Sequence, residues 1–163
     1  MKTLLILRHA KSSWKDPELD DHDRPLNKRG KRDAPRIGKL LHQHHLQPDV
    51  ILSSTAKRAR GTAAKVAKAC GYEGIIELDG ELYLAAPDGL LRVLQDVPDR
   101  HACVMLVGHN PGLEQLIELL TGTVTRLPTA ALARLRVAIE SWRDVAPTTR
   151  AELIDIWRPR ERE

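Results

Sequence analysis

Two arginines, two histidines and a carboxylate occupy comparable places in this 163-residue chain, each following a short apolar run. Arg8-His9 closes the first run, Ser53-Ser54 and then Arg58 follow the second, Glu81 lies just beyond the third, and Gly108-His109-Asn110-Pro111-Gly112 follows the fourth. A neutral imidazole offers a nitrogen lone pair as a nucleophile. Guanidinium forks clamp phosphoryl oxygens, and a carboxyl can move a proton. Brought to one place, these groups form a kit for phosphoryl transfer that needs no metal ion. Each signal alone also has an ordinary structural reading. Arg8-His9 is then a polar strand end, Gly108 to Gly112 a turn, and Arg58 a solvated helix charge like its neighbours Lys57 and Arg60.

The elements that must position these residues are visible as a change of period. Thr3 to Leu7, Asp49 to Ser54, Ile75 to Leu78 and Ala102 to Val107 are apolar, too short for helices and edged by turn residues, so they predict strands. Between them, Lys28 to His45, Ala56 to Cys70, Pro87 to Leu94 and Leu113 to Leu120 carry apolar residues at helical spacing. Alternating strands and helices predict an α/β fold, a three-layer sandwich with a mostly parallel central sheet, and ligands at the strands' carboxyl ends. Ala130 to Ile139 and Ala151 to Trp157 are read as later strands, with a helix the alternative for the first. Asp16 to Pro25 is a polar loop, with Asn27 a cap for the helix that follows. His22 and His101 fall in surface loops. Residues 1–158 form one domain on this reading, and residues 159–163 a charged tail, frayed from Arg158 onward.

Composition excludes several classes. With 42% hydrophobic and 29% charged residues the chain has ordinary globular usage, which excludes wholesale disorder. No apolar run approaches the roughly 20 residues of a membrane helix. Cys70 and Cys103 lie far apart among small or apolar neighbours, which fits buried free thiols in a reducing cytoplasm. The balance of 26 Lys+Arg against 22 Asp+Glu gives +4, compatible with an anionic substrate or with nucleic acid. Aromatics are 3%, with no Phe, which leaves few stacking platforms for single strands. A basic module for nucleic acid or an acidic partner is the competing class, resting on Lys28-Arg29, Lys31-Arg32, Arg158, Arg160 and Arg162. Asp33, Glu161 and Glu163 interrupt that footprint, and no nucleic-acid or membrane partner is expected. His42, His44 and His45 have no carboxylate or thiolate at metal spacing, and no G-x-x-x-x-G-K-[ST] loop occurs.

Four segments, taken in order, carry a more specific signal: Arg8-His9-Ala10 with Lys11-Ser12-Ser13-Trp14; Arg24-Pro25-Leu26-Asn27 with Gly30; Ser53-Ser54 with Arg58-Ala59 and Thr62-Ala63; and Gly108-His109-Asn110-Pro111. Together they resemble the histidine phosphatase superfamily, of phosphoglycerate-mutase-like architecture, and within it the small SixA-type phosphohistidine phosphatases. The resemblance covers nearly the whole chain. It implies that His9 accepts the phosphoryl group, that Arg8 and Arg58 bind its oxygens, that His109 is the second pocket histidine, and that no cofactor is needed. Ala10 replaces the superfamily's usual glycine, adding one methyl group. Glu81 matches the superfamily's general acid by position only. No long insertion follows the second or third strand, so no large cap covers the pocket, which favours a phosphorylated protein such as a histidine-containing phosphotransfer domain. A general small-molecule phosphomonoesterase on the same fold is the alternative. For His9 to attack, a backbone carbonyl should hold Nδ1–H and so free Nε2.

Overall fold

In the computed structural model, which describes residues 1–159, the run Leu4-Leu5-Ile6-Leu7 forms the middle of β1 (Lys2–Arg8) with every side chain fully buried. A strand without polar alternation must be covered on both faces. Leu4 and Ile6 join one apolar layer, and Leu5 and Leu7 the other. The same division runs through β2 (Val50–Ser53) and β4 (Cys103–Gly108): Val50, Leu52, Val104 and Leu106 face one layer, Ile51, Met105 and Val107 the other.

Helices α1 (Lys28–Gln43) and α2 (Lys57–Cys70) cover one face, burying Ile37, Leu41, Ala59, Ala63 and Val66 against it. On the other face, α3 (Pro87–Gln95) and α4 (Gly112–Thr121) bury Leu90, Leu94, Leu113, Leu116 and Ile117. The sheet is completed by β3 (Ile76–Leu78), β5 (Leu132–Val137) and β6 (Ala151–Trp157), in the order β3-β2-β4-β1-β5-β6. Only β5 runs against its neighbours, so the expected three-layer, mostly parallel architecture is the one observed.

Three details sharpen the expectation. The segment from Ala130 to Ile139, read as a strand, contains β5, where the imperfect alternation has a physical origin. Arg134 and Arg136 meet Asp155 and Glu152 of β6 at 3.3 and 3.6 Å, and a register shift after Arg134 leaves Ile154 without an opposing residue. The run from Ile75 is a sheet edge, with Ile75 83% and Leu78 51% exposed. Arg158, expected to be frayed, donates from Nε to the Arg126 carbonyl and from Nη2 to Thr125 Oγ1, both at 3.0 Å. The rest of the expected tail lies outside the described residues from Arg160 onward. Among the described residues, no helix is long and apolar enough to cross a membrane.

Register brings the chemistry to one edge. β1 and β4 pair in parallel as far as Arg8 opposite Gly108, and β2 pairs with β4 as far as Ser53 opposite Val107. The ladder continues through the His9 N–H on the Gly108 carbonyl at 3.1 Å and the Ser54 N–H on the Val107 carbonyl at 3.0 Å. The segment after β1 is then fastened to the start of α1. Ser12 bridges to Leu26, and Asn27 caps α1 by accepting the Gly30 N–H at 2.9 Å. Gly30 is required by this approach, because a Cβ there would overlap the Lys11 carbonyl. Gly30→Ala should therefore lower stability by about 1–3 kcal/mol, the usual scale of overpacking. Gly80→Ala, in open space, should not. Urea unfolding checks this: the midpoint should fall for Gly30→Ala at unchanged m-value.

Candidate active site

His9 follows β1 directly and is 7% exposed. Its Nδ1–H donates to the Ala10 carbonyl at 2.8 Å, so the backbone fixes the tautomer and leaves the Nε2 lone pair free. The carbonyl expected for this purpose is thus supplied by the next residue in the chain. Ala10 itself is fully buried, and its N–H donates to Thr62 Oγ1 at 2.9 Å. Burial holds the His9 pKa down to about 4, with the positive charges of Arg58, Arg8 and Arg24 acting in the same direction. The imidazole is therefore neutral at physiological pH.

His109 follows β4, its ring centroid 5.1 Å from that of His9. A guanidinium can only donate, so the approach of Arg58 Nη2 to His109 Nδ1 at 3.5 Å makes that nitrogen the acceptor. The ring proton then sits on Nε2 and is donated to Ser54 Oγ at 2.7 Å. Burial pushes the His109 pKa to about 3, aided by His9 and Arg58. Ser54 can donate as well as accept. If an anion attracted a proton to Nδ1, the hydroxyl could reverse its bond and keep Nε2 satisfied.

A pocket of about 230 Å³ opens over these rings. Its described lining carries four cations, Arg8, Lys11, Arg24 and Arg58, with both imidazoles, and no carboxylate. The Nε donors of Arg8 and Arg58 are buried without a partner. Such donors carry a desolvation cost that a phosphoryl oxygen would relieve. The structure thus brings together Arg8, His9, Arg58 and His109.

It does not bring Glu81 to them. Glu81 is exposed on the 3-10 turn Gly80–Leu82, where only Leu82 turns inward, and its N–H is capped by the Asp79 carboxylate at 2.9 Å. Position after a strand predicts proximity to the edge, but the short turn decides which side chain faces the pocket. Asp21 and Tyr83, which sequence reasoning misses, lie behind the lining and hold its arginines. Asp21 Oδ2 accepts from Arg58 Nη2 at 2.9 Å and from the Tyr83 hydroxyl, while Oδ1 accepts from Arg24 Nε at 3.1 Å. The Tyr83 hydroxyl, then Arg58, hold the Asp21 pKa at about 2. Tyr83 also sets its ring edge-on to His109, with centroids 5.4 Å apart. His22, expected as a surface loop residue, meets Thr55 Oγ1 at 2.8 Å and packs edge-on against Tyr83. Trp14 is 72% exposed and stacks on the Arg24 guanidinium at 3.5 Å.

The family model described as "Histidine phosphatase superfamily (branch 1)" matches residues 4–83. The Agrobacterium tumefaciens protein that carries the SixA name is 32% identical in sequence. Its crystal structure covers 97% of this chain and 98% of its own, with a TM-score of 0.83. The chain belongs to the histidine phosphatase superfamily. An uncharacterised chloroplast protein of Arabidopsis thaliana is 36% identical over 88% of this chain and 70% of its own length. The tungstate complex of the protein histidine phosphatase SixA shares the fold at a TM-score of 0.85, with 20% identity over 99% of each chain.

The depressed histidines of this superfamily member have a measurable consequence. A histidine whose folded pKa lies below its unfolded value near 6.5 leaves stability untouched above that pH and removes it as the pH falls toward the folded value. For His9 and His109 the window is from about 6.5 down to about 4 and about 3. Stability should fall across that range, and the fall should be shallower in the His9→Gln, His109→Gln double variant. Thermal unfolding from pH 7 to pH 4 checks the slope. Imidazole NMR of the wild type should show neither ring titrating near 6.5.

Proposed function

We propose that this chain is a metal-independent phosphatase that hydrolyses phosphohistidine on a protein through a phosphohistidine intermediate at His9, with residues 1–158 as one catalytic unit. The observation that carries the reading is the chemistry of the described lining: cations, two imidazoles and no carboxyl group. An alkyl phosphate leaves as an alkoxide and needs a strong proton donor in the transition state. The carboxylate paired with Arg58 and Arg24, Asp21, is held ionised at neutral pH and cannot act as that acid. A phosphoimidazole has no such need. Its second ring nitrogen takes a proton from solvent, and the ring departs as neutral imidazole.

The first transfer begins with the His9 Nε2 lone pair forming a bond to phosphorus. The substrate's P–N bond breaks, and its electron pair returns to the leaving ring. Charge on the equatorial oxygens meets the guanidinium groups of Arg8 and Arg58, with His109 as a further donor once protonated at Nδ1. In the intermediate, His9 carries phosphorus on Nε2 and a proton on Nδ1, held by the Ala10 carbonyl. That doubly substituted ring is itself activated for loss. Water attacks phosphorus in line, the P–N pair returns to Nε2, and the water's proton passes to the departing phosphate and solvent. The name of the Agrobacterium relative supports the substrate class. The open pocket, with Trp14 and Leu84 exposed in its lining, suits a protein side chain.

The test is phosphate release, with chelator present, from a phosphohistidine protein and a phosphoserine peptide in parallel. The wild type should prefer phosphohistidine, His9→Ala should fold yet lose turnover, and Arg58→Ala should lose about 10²–10³ in rate. Equal release from both substrates would favour a general phosphomonoesterase, and turnover retained in His9→Ala would sink the covalent mechanism.

A further inference from the structure

We propose that Asp21 is a positioning residue: it aims the guanidinium groups of Arg58 and Arg24 and thereby sets the affinity of the pocket for a phosphoryl group. The inference rests on the pocket being the phosphoryl site, and it adds a residue outside the described lining to the machinery. Asp21 grips Arg58 twice, since its carbonyl accepts from Nη1 at 2.7 Å and its Oδ2 from Nη2 at 2.9 Å. The other carboxylate oxygen takes Arg24, whose Nε and Nη2 both approach it at 3.1 Å. One residue thus uses three acceptor atoms on two arginines that line the pocket.

The gripping leaves the right atoms over. Both terminal nitrogens of Arg58 have an anchor on Asp21, while its Nε is buried and unpartnered. A long side chain loses much rotamer freedom when it is ordered. A guanidinium ordered before the ligand arrives spends nothing further on binding, which is the advantage of preorganisation. The segment bearing Asp21 has no apolar anchor, because the 3-10 turn Asp21–Asp23 buries none of its residues. Apart from Asp21 itself, its side-chain ties are those of His22 to Thr55 and Tyr83. Asp21 therefore fastens the loop to the arginines and the arginines to the loop.

Charge and geometry make opposite demands here, and that makes the proposal testable by sign. Asp21 is an anion close to an anion site, so on Coulomb's law alone its neutralisation tightens phosphate binding. If Asp21 aims the arginines, neutralisation weakens it. Binding of inorganic phosphate and of tungstate, measured by calorimetry on wild type, Asp21→Asn and Asp21→Glu, separates the two. The expected result is about tenfold weaker binding in Asp21→Asn, on the scale of one lost charge-assisted hydrogen bond. Asp21→Glu, which keeps the charge but displaces the carboxylate, should also weaken it. The Arg58 Nε–H resonance should be sharp in the wild type and broadened in Asp21→Asn, which loss of global stability alone would not produce. Equal or tighter binding by Asp21→Asn overturns the proposal. Anion binding is read without turnover, so a wild type that binds phosphate but spares phosphohistidine would fail the functional reading alone.

Discussion

Four cations and two imidazoles share one small pocket, and their mutual repulsion is the constraint that the surrounding structure answers. Positive groups gathered out of water raise each other's free energy unless something opposes them. Two answers are visible. The imidazoles surrender their charge, with burial and the neighbouring arginines holding His9 and His109 far below the ordinary histidine value. Arg58 and Arg24 are balanced by the Asp21 carboxylate, which stands behind them and outside the lining, while Glu114 opposes the charge of Arg8. A carboxylate inside the pocket would neutralise the cations equally well and repel every phosphoryl group.

The sheet makes this arrangement affordable. Parallel strands end together, and β1, β2 and β4 are adjacent, so His9, Ser54 and His109 leave neighbouring strand ends within hydrogen-bonding reach of one another's surroundings. Backbone hydrogen bonds fix His9: the Ala10 carbonyl selects the tautomer, and the Ala10 N–H is tied to Thr62 on α2. Thr62 in turn donates to the Arg58 carbonyl one turn earlier at 2.7 Å. The segment that holds His9 is therefore linked through a single threonine to the helix that carries Arg58.

What the sequence reveals follows from how local each cause is. Arg8, His9 and His109 are legible because they terminate apolar runs, and an apolar run of that length has few structures open to it. Arg58 is legible because it opens a helix just after such a run. Asp21 is not, because its role depends on a polar loop meeting α2 and Tyr83, contacts 37 and 62 residues distant in sequence. Nothing in Asp16 to Pro25 distinguishes that aspartate from Asp16, Asp20 or Asp23. Glu81 shows the converse: the strand before it is legible, but a 3-10 turn places the apolar Leu82 inward and the carboxylate outward. Patterns locate an edge well and orient a short turn poorly.

The proposed substrate and the observed lining explain each other. Transfer from one imidazole to another exchanges like for like, so the first step has little free energy to supply and no alkoxide to protonate. A strong acid in the pocket would be idle. On the proposed mechanism direction comes from hydrolysis in the second step; the Ala10 carbonyl, by keeping a proton on His9 Nδ1, would hold the phosphorylated ring in the form that releases phosphorus most readily, whether to water or back to an imidazole. A carboxylate in place of that carbonyl would stabilise the doubly substituted, cationic ring and so favour keeping the phosphoryl group. A neutral acceptor orients without over-stabilising, which suits an intermediate that must be hydrolysed and not stored.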